Sequence, residues 1–360
     1  MSNASTSEPT GDGRRWSDLS SPKQRTKVLG PGVVVLPRPR LCAASDGCST
    51  PRPRRKSMGP LPTIVGVDGS AAALDAVRWA ALDARLHLSD LLVVSAMSLP
   101  KVLTGLGVLP DTVVHQARSE TDRILSEARE TATRGTATVT VDTVSSEASA
   151  VSTLLELSET ARMVVIATRG LGGTEQRSLG SIGFAVTTHA RCPVTVVRGW
   201  TDGGLDHAIQ PVVVGVDGTK ASAAAMTSAF EEADVRSAPL TAVHSWSDTD
   251  LSIGFPIRGM EWPDNRRAAA DHLARLLEPH TRLHPTVSVR SVVVKDKPVQ
   301  ALLDHAQGAQ LVVIGSHGRG GYAEMMLGST SRSVLTRAHC PVTVVPSPGR
   351  LAAVTHRPSM

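Results

Sequence analysis

The segment Ile64-Val-Gly-Val-Asp-Gly-Ser70 returns as Val213-Val-Gly-Val-Asp-Gly-Thr219, and this recurrence constrains the fold more than any other feature of the chain. Val164-Val-Ile-Ala-Thr-Arg-Gly170 is answered by Val312-Val-Ile-Gly-Ser-His-Gly318, and Cys192-Pro-Val-Thr-Val-Val197 by Cys340-Pro-Val-Thr-Val-Val345. The offset is 149 for the first pair and 148 for the other two. A single-residue shift over so long a period means two copies of one domain, because arrays of short units repeat every ~20–50 residues. At ~100–200 residues per domain, two copies fill the 360-residue chain. The expected division is a tail over 1–60, a first domain over 61–199, a linker over 200–210 containing Gly203-Gly204, a second domain over 211–347 and a flexible terminus over 348–360.

Within each copy, short Val/Ile runs alternate with longer stretches of helical period. Strands are expected near 63–67, 91–96, 138–144, 163–167 and 193–197, with counterparts near 211–216, 240–245, 287–294, 311–315 and 342–345. Leu74, Val77, Ala81 and Ala84 fall on one helical face, as do Ala301, Leu302, Leu303, His305 and Ala306. Alternating strand and helix is the pattern of a parallel sheet covered on both faces. The expected fold class is therefore α/β: two tandem doubly wound, Rossmann-like domains, each a five-stranded parallel sheet flanked by helices. Their Val-rich last strands, 194–197 and 342–345, would be exposed apolar edges unless paired.

A net charge of +5 invites a nucleic-acid reading, but the charge is unevenly placed. Residues 1–60 carry eleven basic and four acidic residues, a local excess larger than that of the whole chain, so a basic groove on the folded part is not supported. Aromatic residues, at 2%, leave little for base stacking. Nucleic acid is not an expected partner. The tail is rich in Ser, Pro, Gly and Arg without hydrophobic period, the composition of a segment that buries too little apolar surface to order. Arg14-Arg15 is not followed by the apolar run of an export signal, and no apolar run is long enough for a membrane span. Cys42, Cys48, Cys192 and Cys340 fit neither a disulfide framework nor a CxxC metal site, which is consistent with a cytoplasmic location.

In an open parallel sheet, ligands bind beyond the carboxyl ends of the strands, where strand order reverses. The loops after the first and fourth strands of each copy are the places to look. The first holds Asp68-Gly69-Ser70 and Asp217-Gly218-Thr219, an acid at a strand end, a turn glycine and a capping hydroxyl; the acid can also be read as merely capping a helix. In the second copy the other loop runs Gly315-Ser-His-Gly318, nine residues, then Gly328-Ser329 at the start of a helical stretch ending at Arg337. Glycines let a ligand approach the backbone, and a Gly-Ser helix opening offers unpaired N–H groups and the positive dipole end to an anion.

These motifs, in this order and spacing, resemble the universal stress protein family over roughly residues 61–198 and 211–346. The resemblance implies a five-stranded parallel sheet and, in the members that bind ATP, a Gly-2x-Gly-9x-Gly-Ser loop that holds the nucleotide. It also implies a part in stress survival or dormancy without a defined catalytic reaction, and pairing through the last strands. Here that pairing would be an internal pseudo-dimer, with a further homo-oligomer left open. Carried over, Asp217 and the backbone at Ser245 lie near adenine, Gly315 against the ribose, and Gly318, Gly328, Ser329 and Thr330 around the phosphates, with Val216 and Ser331 completing the set. ATP is the implied cofactor. Mg would be held mainly by its phosphates, the sequence having no His/Asp/Glu cluster to bind a metal alone. Asp68, Gly170, Gly180 and Ser181 form a weaker equivalent set, and no catalytic residue is assigned.

The first copy departs from the pattern. Ala167 stands for Gly315, Gly183 for Ser331, and Glu175 to Ser178 for the more apolar 323–326. A methyl at Ala167 would obstruct the ribose, so one tight site per chain is expected, in the second copy. Gly318-Arg-Gly320-Gly-Tyr-Ala323 also fits a dinucleotide fingerprint, but it follows the fourth strand and lacks an acid about 20 residues on. Gly215 to Lys220 lacks the Gly-Lys-Ser/Thr ending of a P-loop. A weak hydrolase or autophosphorylating protein, through Ser329, Ser331 or His317, and a nucleotide-independent interaction module are the alternatives. A chain beginning at Met58 should keep the thermal midpoint of the full chain, measured by calorimetry; a drop of about ten degrees would show that the tail contributes to the fold.

Overall fold

The computed structural model describes residues 60–97, 111–136, 138–168, 179–198, 210–246, 262–318 and 327–351. The first copy contains β1 (Thr63–Val67), α1 (Ala71–Leu86), β2 (Leu91–Ala96), α2 (Asp111–Gly135), β3 (Val141–Ser146), α3 (Ala150–Leu157), β4 (Met163–Ala167), α4 (Ser181–His189) and β5 (Val194–Val197). The second contains β6 (Val212–Val216), α5 (Lys220–Val235), β7 (Leu240–Trp246), α6 (Trp262–Leu283), β8 (Val289–Lys295), α7 (Pro298–Ala306), β9 (Leu311–Gly315), α8 (Ser329–Arg337) and β10 (Val342–Val345). The expected tail, the linker up to 209 and the terminus beyond 351 lie outside the described residues. Strands β3 and β8 start later than the apolar runs suggested. Val139 and Val287 precede them, packing on the core from turns rather than from the ladder.

Each copy is a parallel sheet, in the order β3-β2-β1-β4-β5 and β8-β7-β6-β9-β10. Strand order reverses beside β1 and β6, so the crevice expected to take a ligand opens there in both copies. The halves do not remain separate sheets. Strands β5 and β10 pair antiparallel, Val196 opposite Val342 and Thr195 opposite Thr343, and the result is one ten-stranded sheet. Thr195 and Thr343 are equivalent positions whose hydroxyls lie 2.8 Å apart, so a local twofold passes between them. One apolar layer, including Val77, Leu125, Phe230 and Leu273, packs α1, α2, α5 and α6 on one face. A second, including Leu154, Val186, Leu302 and Val334, packs α3, α4, α7 and α8 on the other.

The twofold also brings α1 against α5. Asp83 and His87 of the first copy meet their equivalents Glu232 and Arg236 of the second. Asp83 is fully buried, accepting from Arg162 and, at 2.7 Å, from Arg236. Glu232 accepts from Arg236 at 2.9 Å and lies 3.1 Å from His87 Nε2, and Arg236 also covers the Trp79 ring at 5.4 Å. Asp83, His87 and Glu232 place ligand atoms within 4.8 Å of one another, a His/Asp/Glu cluster that the sequence reading did not find because Glu232 lies in the other copy, 149 residues beyond Asp83. Two guanidinium groups already neutralise both carboxylates, so the cluster is an ion-pair network between the copies.

Burial alone would raise the Glu232 carboxyl; Arg236, His87 and Arg162 outweigh it and hold the group well below the usual carboxylate range. A depressed folded-state value means that the contribution is present above that range and is lost as the pH falls below it. Glu232→Gln leaves buried cations short of a partner and should cost about 3–5 kcal/mol in denaturant unfolding at neutral pH. A loss under about 1 kcal/mol would show that the network is solvated in solution.

Candidate functional site

The β6–α5 and β1–α1 turns are built alike. Gly218 and Gly69 have φ of 82° and 84°, a left-handed conformation that glycine adopts without steric cost. Asp217 Oδ1 accepts from Thr219 N at 2.9 Å and Thr219 Oγ1 at 2.7 Å, and Thr219 Oγ1 in turn accepts from Ser222 N at 3.2 Å. The cap of α5 is therefore the Thr219 hydroxyl, and the acid orients it; the reading of Asp217 as the cap itself is corrected. Asp68 and Ser70 repeat the arrangement at 3.1 and 2.7 Å. The other Asp217 oxygen faces the second loop, since a methyl added at Gly318 would lie 3.1 Å from Oδ2.

Val216 and Ser245 sit at the ends of neighbouring strands. The Val216 carbonyl accepts from His244 Nδ1 at 2.8 Å, and His244 is fully buried. A carbonyl can only accept, so Nδ1 carries the proton. Sequence reading missed this histidine, whose only signal is an imidazole inside an apolar strand where the first copy has Ser95. Ser245 donates its hydroxyl to Asp296 O at 3.0 Å.

Gly315 is glycine for a reason other than the one expected. A methyl there would stand 2.8 Å from Ala221 C and 2.9 Å from Ala221 O, so its missing side chain admits the backbone of α5. The proposed ribose obstruction by Ala167 is corrected accordingly: at the equivalent place, Ala167 packs against the core. Gly328 N donates to Ser316 O at 2.9 Å and closes the loop, as Gly180 N does to Thr168 O at 3.0 Å. Ser331 was expected around the phosphates, but its hydroxyl donates to Gly315 O at 2.7 Å and the residue is 5% exposed. Gly183, its counterpart, cannot make that tie.

Helices α1, α3 and α5 are capped by Ser70, Ser149 and Thr219, whereas α4 and α8 start from Gly180 and Gly328 with no side-chain cap. In α8 the first helical bond runs from Arg332 N to Gly328 O at 2.9 Å, which leaves the Ser329, Thr330 and Ser331 amides at the open end. In α4 the corresponding turn places Ile182, 45% exposed, where α8 has Thr330. Gly170, the 175–178 stretch and residues 319–326 lie outside the described residues. Gly315→Ala should lower stability by about 1–3 kcal/mol in denaturant unfolding, the scale of overpacking against backbone. A neutral effect would show that α5 can shift to admit the methyl.

Comparison with known proteins agrees with this architecture. The profile of the universal stress protein family matches residues 62–198 and 208–346. A universal stress protein of Mycobacterium tuberculosis is 40% identical over 286 residues, covering 78% of this chain and 95% of its own. One from Mycolicibacterium smegmatis is 35% identical over 288 residues, covering 78% and 96%. Among solved structures, a universal stress protein from Archaeoglobus fulgidus superimposes with a TM-score of 0.59 at 19% identity, covering 80% of this chain and 96% of that one. A functionally unknown protein from Pseudomonas aeruginosa gives 0.53 at 15% identity, covering 81% and 95%. With the profile found twice and a relative at this identity over most of the chain, the protein belongs to the universal stress protein family as a tandem two-domain member.

Proposed function

We propose that the second copy binds ATP and that the chain acts in the cytoplasm as a nucleotide-dependent regulator of stress response or dormancy, without a dedicated catalytic reaction. The observation that carries this reading is the start of α8, glycine-capped and bare of side-chain caps, next to the β6–β9 crevice. Among the described residues, a methyl at Gly318 would meet only Asp217 Oδ2 within 4 Å, which leaves room over that backbone for a ligand. In this reading the Ser329, Thr330 and Ser331 amides and the Gly318 backbone take the phosphates, with Val216, Asp217 and Ser245 on the base side. Mg would be held mainly by the phosphates. Ser331 contributes its amide and not its hydroxyl, and Gly315 contributes through the packing of α5.

Binding rather than turnover is favoured by the engagement of two nearby hydroxyls, those of Ser316 and Ser331. Ser316 pairs with His317 Nδ1 at 2.9 Å but is 2% exposed, and Ser331 is tied to Gly315. Burial pushes the Cys192 and Cys340 thiols up to about 12, which makes them poor nucleophiles and is compatible with a reducing compartment. In the first copy, an exposed Ile182 stands where the second copy has Thr330 and Gly183 leaves the loop without its serine tie. One site per chain follows. Calorimetry with ATP should give one tight site, and Gly318→Val should weaken it at least roughly tenfold while Gly170→Val changes little. Two equivalent sites, or unchanged affinity in Gly318→Val, would overturn this assignment.

A further inference from the structure

Helices α4 and α8 meet across the twofold through equivalent residues. Arg332 and Phe184 are each the fourth residue of their helix, with amides bonded to Gly328 O and Gly180 O. The Arg332 guanidinium lies 5.5 Å from the Phe184 ring centroid. Further along, the helices are tied crosswise: Arg198 of the first copy donates to Thr336 O at 2.6 Å, and Arg350 of the second donates to Thr188 O. Arg198 follows β5 and Arg350 follows β10, so these bonds hold each helix against the other copy, and the Arg332–Phe184 contact joins the first turns of the two helices.

Arg332 is exposed and directly follows the three open amides of Ser329, Thr330 and Ser331 in the chain. A helical side chain leans toward the N-terminus and covers the residues three and four places before it, here Ser329 and Gly328. Its fork of donors matches a phosphate, and charge-assisted bonds of that kind are stronger than a solvent-exposed contact with a ring. The first copy has no cation at the same place, because Phe184 occupies it.

We propose that Arg332 is a phosphate-binding residue of the second copy, drawn from the Phe184 ring to the nucleotide when it binds. Occupancy of one copy is thereby passed to helix α4 of the other. The inference rests on the reading of α8 as the phosphate helix.

The chain has three phenylalanines, Phe184, Phe230 and Phe255, so the full protein labelled with 4-fluorophenylalanine gives a countable fluorine spectrum. Phe184→Leu assigns one resonance, and Phe230, fully buried and stacked on His280, is an internal reference. Saturation with ATP should shift the Phe184 resonance in the wild-type protein. Arg332→Gln should lower ATP affinity roughly 5- to 20-fold and remove the shift. Phe184→Leu, which deletes the competing ring and keeps the cation, should raise affinity roughly 2- to 5-fold. Wild-type ATP affinity in Arg332→Gln, or a Phe184 resonance unmoved at saturation, would overturn the role of Arg332 and leave the site standing. Failure of the wild-type protein to bind ATP would overturn the site itself and this inference with it.

Discussion

The pairing of β5 with β10 is the constraint on which the rest of the molecule depends. Each strand is a run of Val around one Thr and would be an adhesive edge if left open. By closing on each other antiparallel, they remove both edges and set a twofold through Thr195 and Thr343. Among the described residues, that axis also places α1 on α5 with its ion pairs on one face of the sheet, and the first turns of α4 and α8 on the other. A slip of one residue in this short register would part Thr195 from Thr343 and Asp83 from Arg236. Apolar strand packing and the buried charge network therefore specify the same alignment.

A twofold built from unequal sequences need not give equal halves. Asp217 and Asp68 hold their turns alike, and both loops close through a glycine amide onto the residue after the fourth strand. The backbone scaffold is thus duplicated. The differences lie in side chains at matched positions: Ser331 against Gly183, Thr330 against Ile182, His244 against Ser95 and Arg332 against Phe184. In each pair the polar or charged member belongs to the second copy, except that Ser95 keeps a hydroxyl. Divergence of this kind leaves the core intact while concentrating polar chemistry at one crevice.

Strand positions and the two-copy organisation were legible because they follow from periodicity and repetition, which a single sequence displays directly; the order of the strands came from the structure. Loop chemistry was less so. Gly315 reads as a ligand-facing glycine in any linear motif; only the approach of Ala221 reveals a packing requirement. Ser331 reads as a phosphate contact until its hydroxyl is seen spent on Gly315 O. The Asp83, His87 and Glu232 cluster was illegible for a simpler reason, since its two halves belong to different copies and neither half is unusual alone.

The three glycines of the loop consequently do three separate jobs. Gly315 admits α5, Gly318 leaves space beside Asp217, and Gly328 starts α8 without a side chain over its amides. The tasks have different tolerances. A methyl at Gly315 meets rigid backbone on the inner side, whereas one at Gly318 meets a carboxylate oxygen that can turn. Packing against α5 and space beside Asp217 therefore fall to different glycines of one motif. The first copy illustrates the separation: Ala167 replaces the packing glycine while Gly180 keeps the start of α4, although its open turn carries Ile182. An intact helix opening is thus compatible with an apolar first turn, so the backbone geometry of a helix start and the side chains that line it vary independently between the copies.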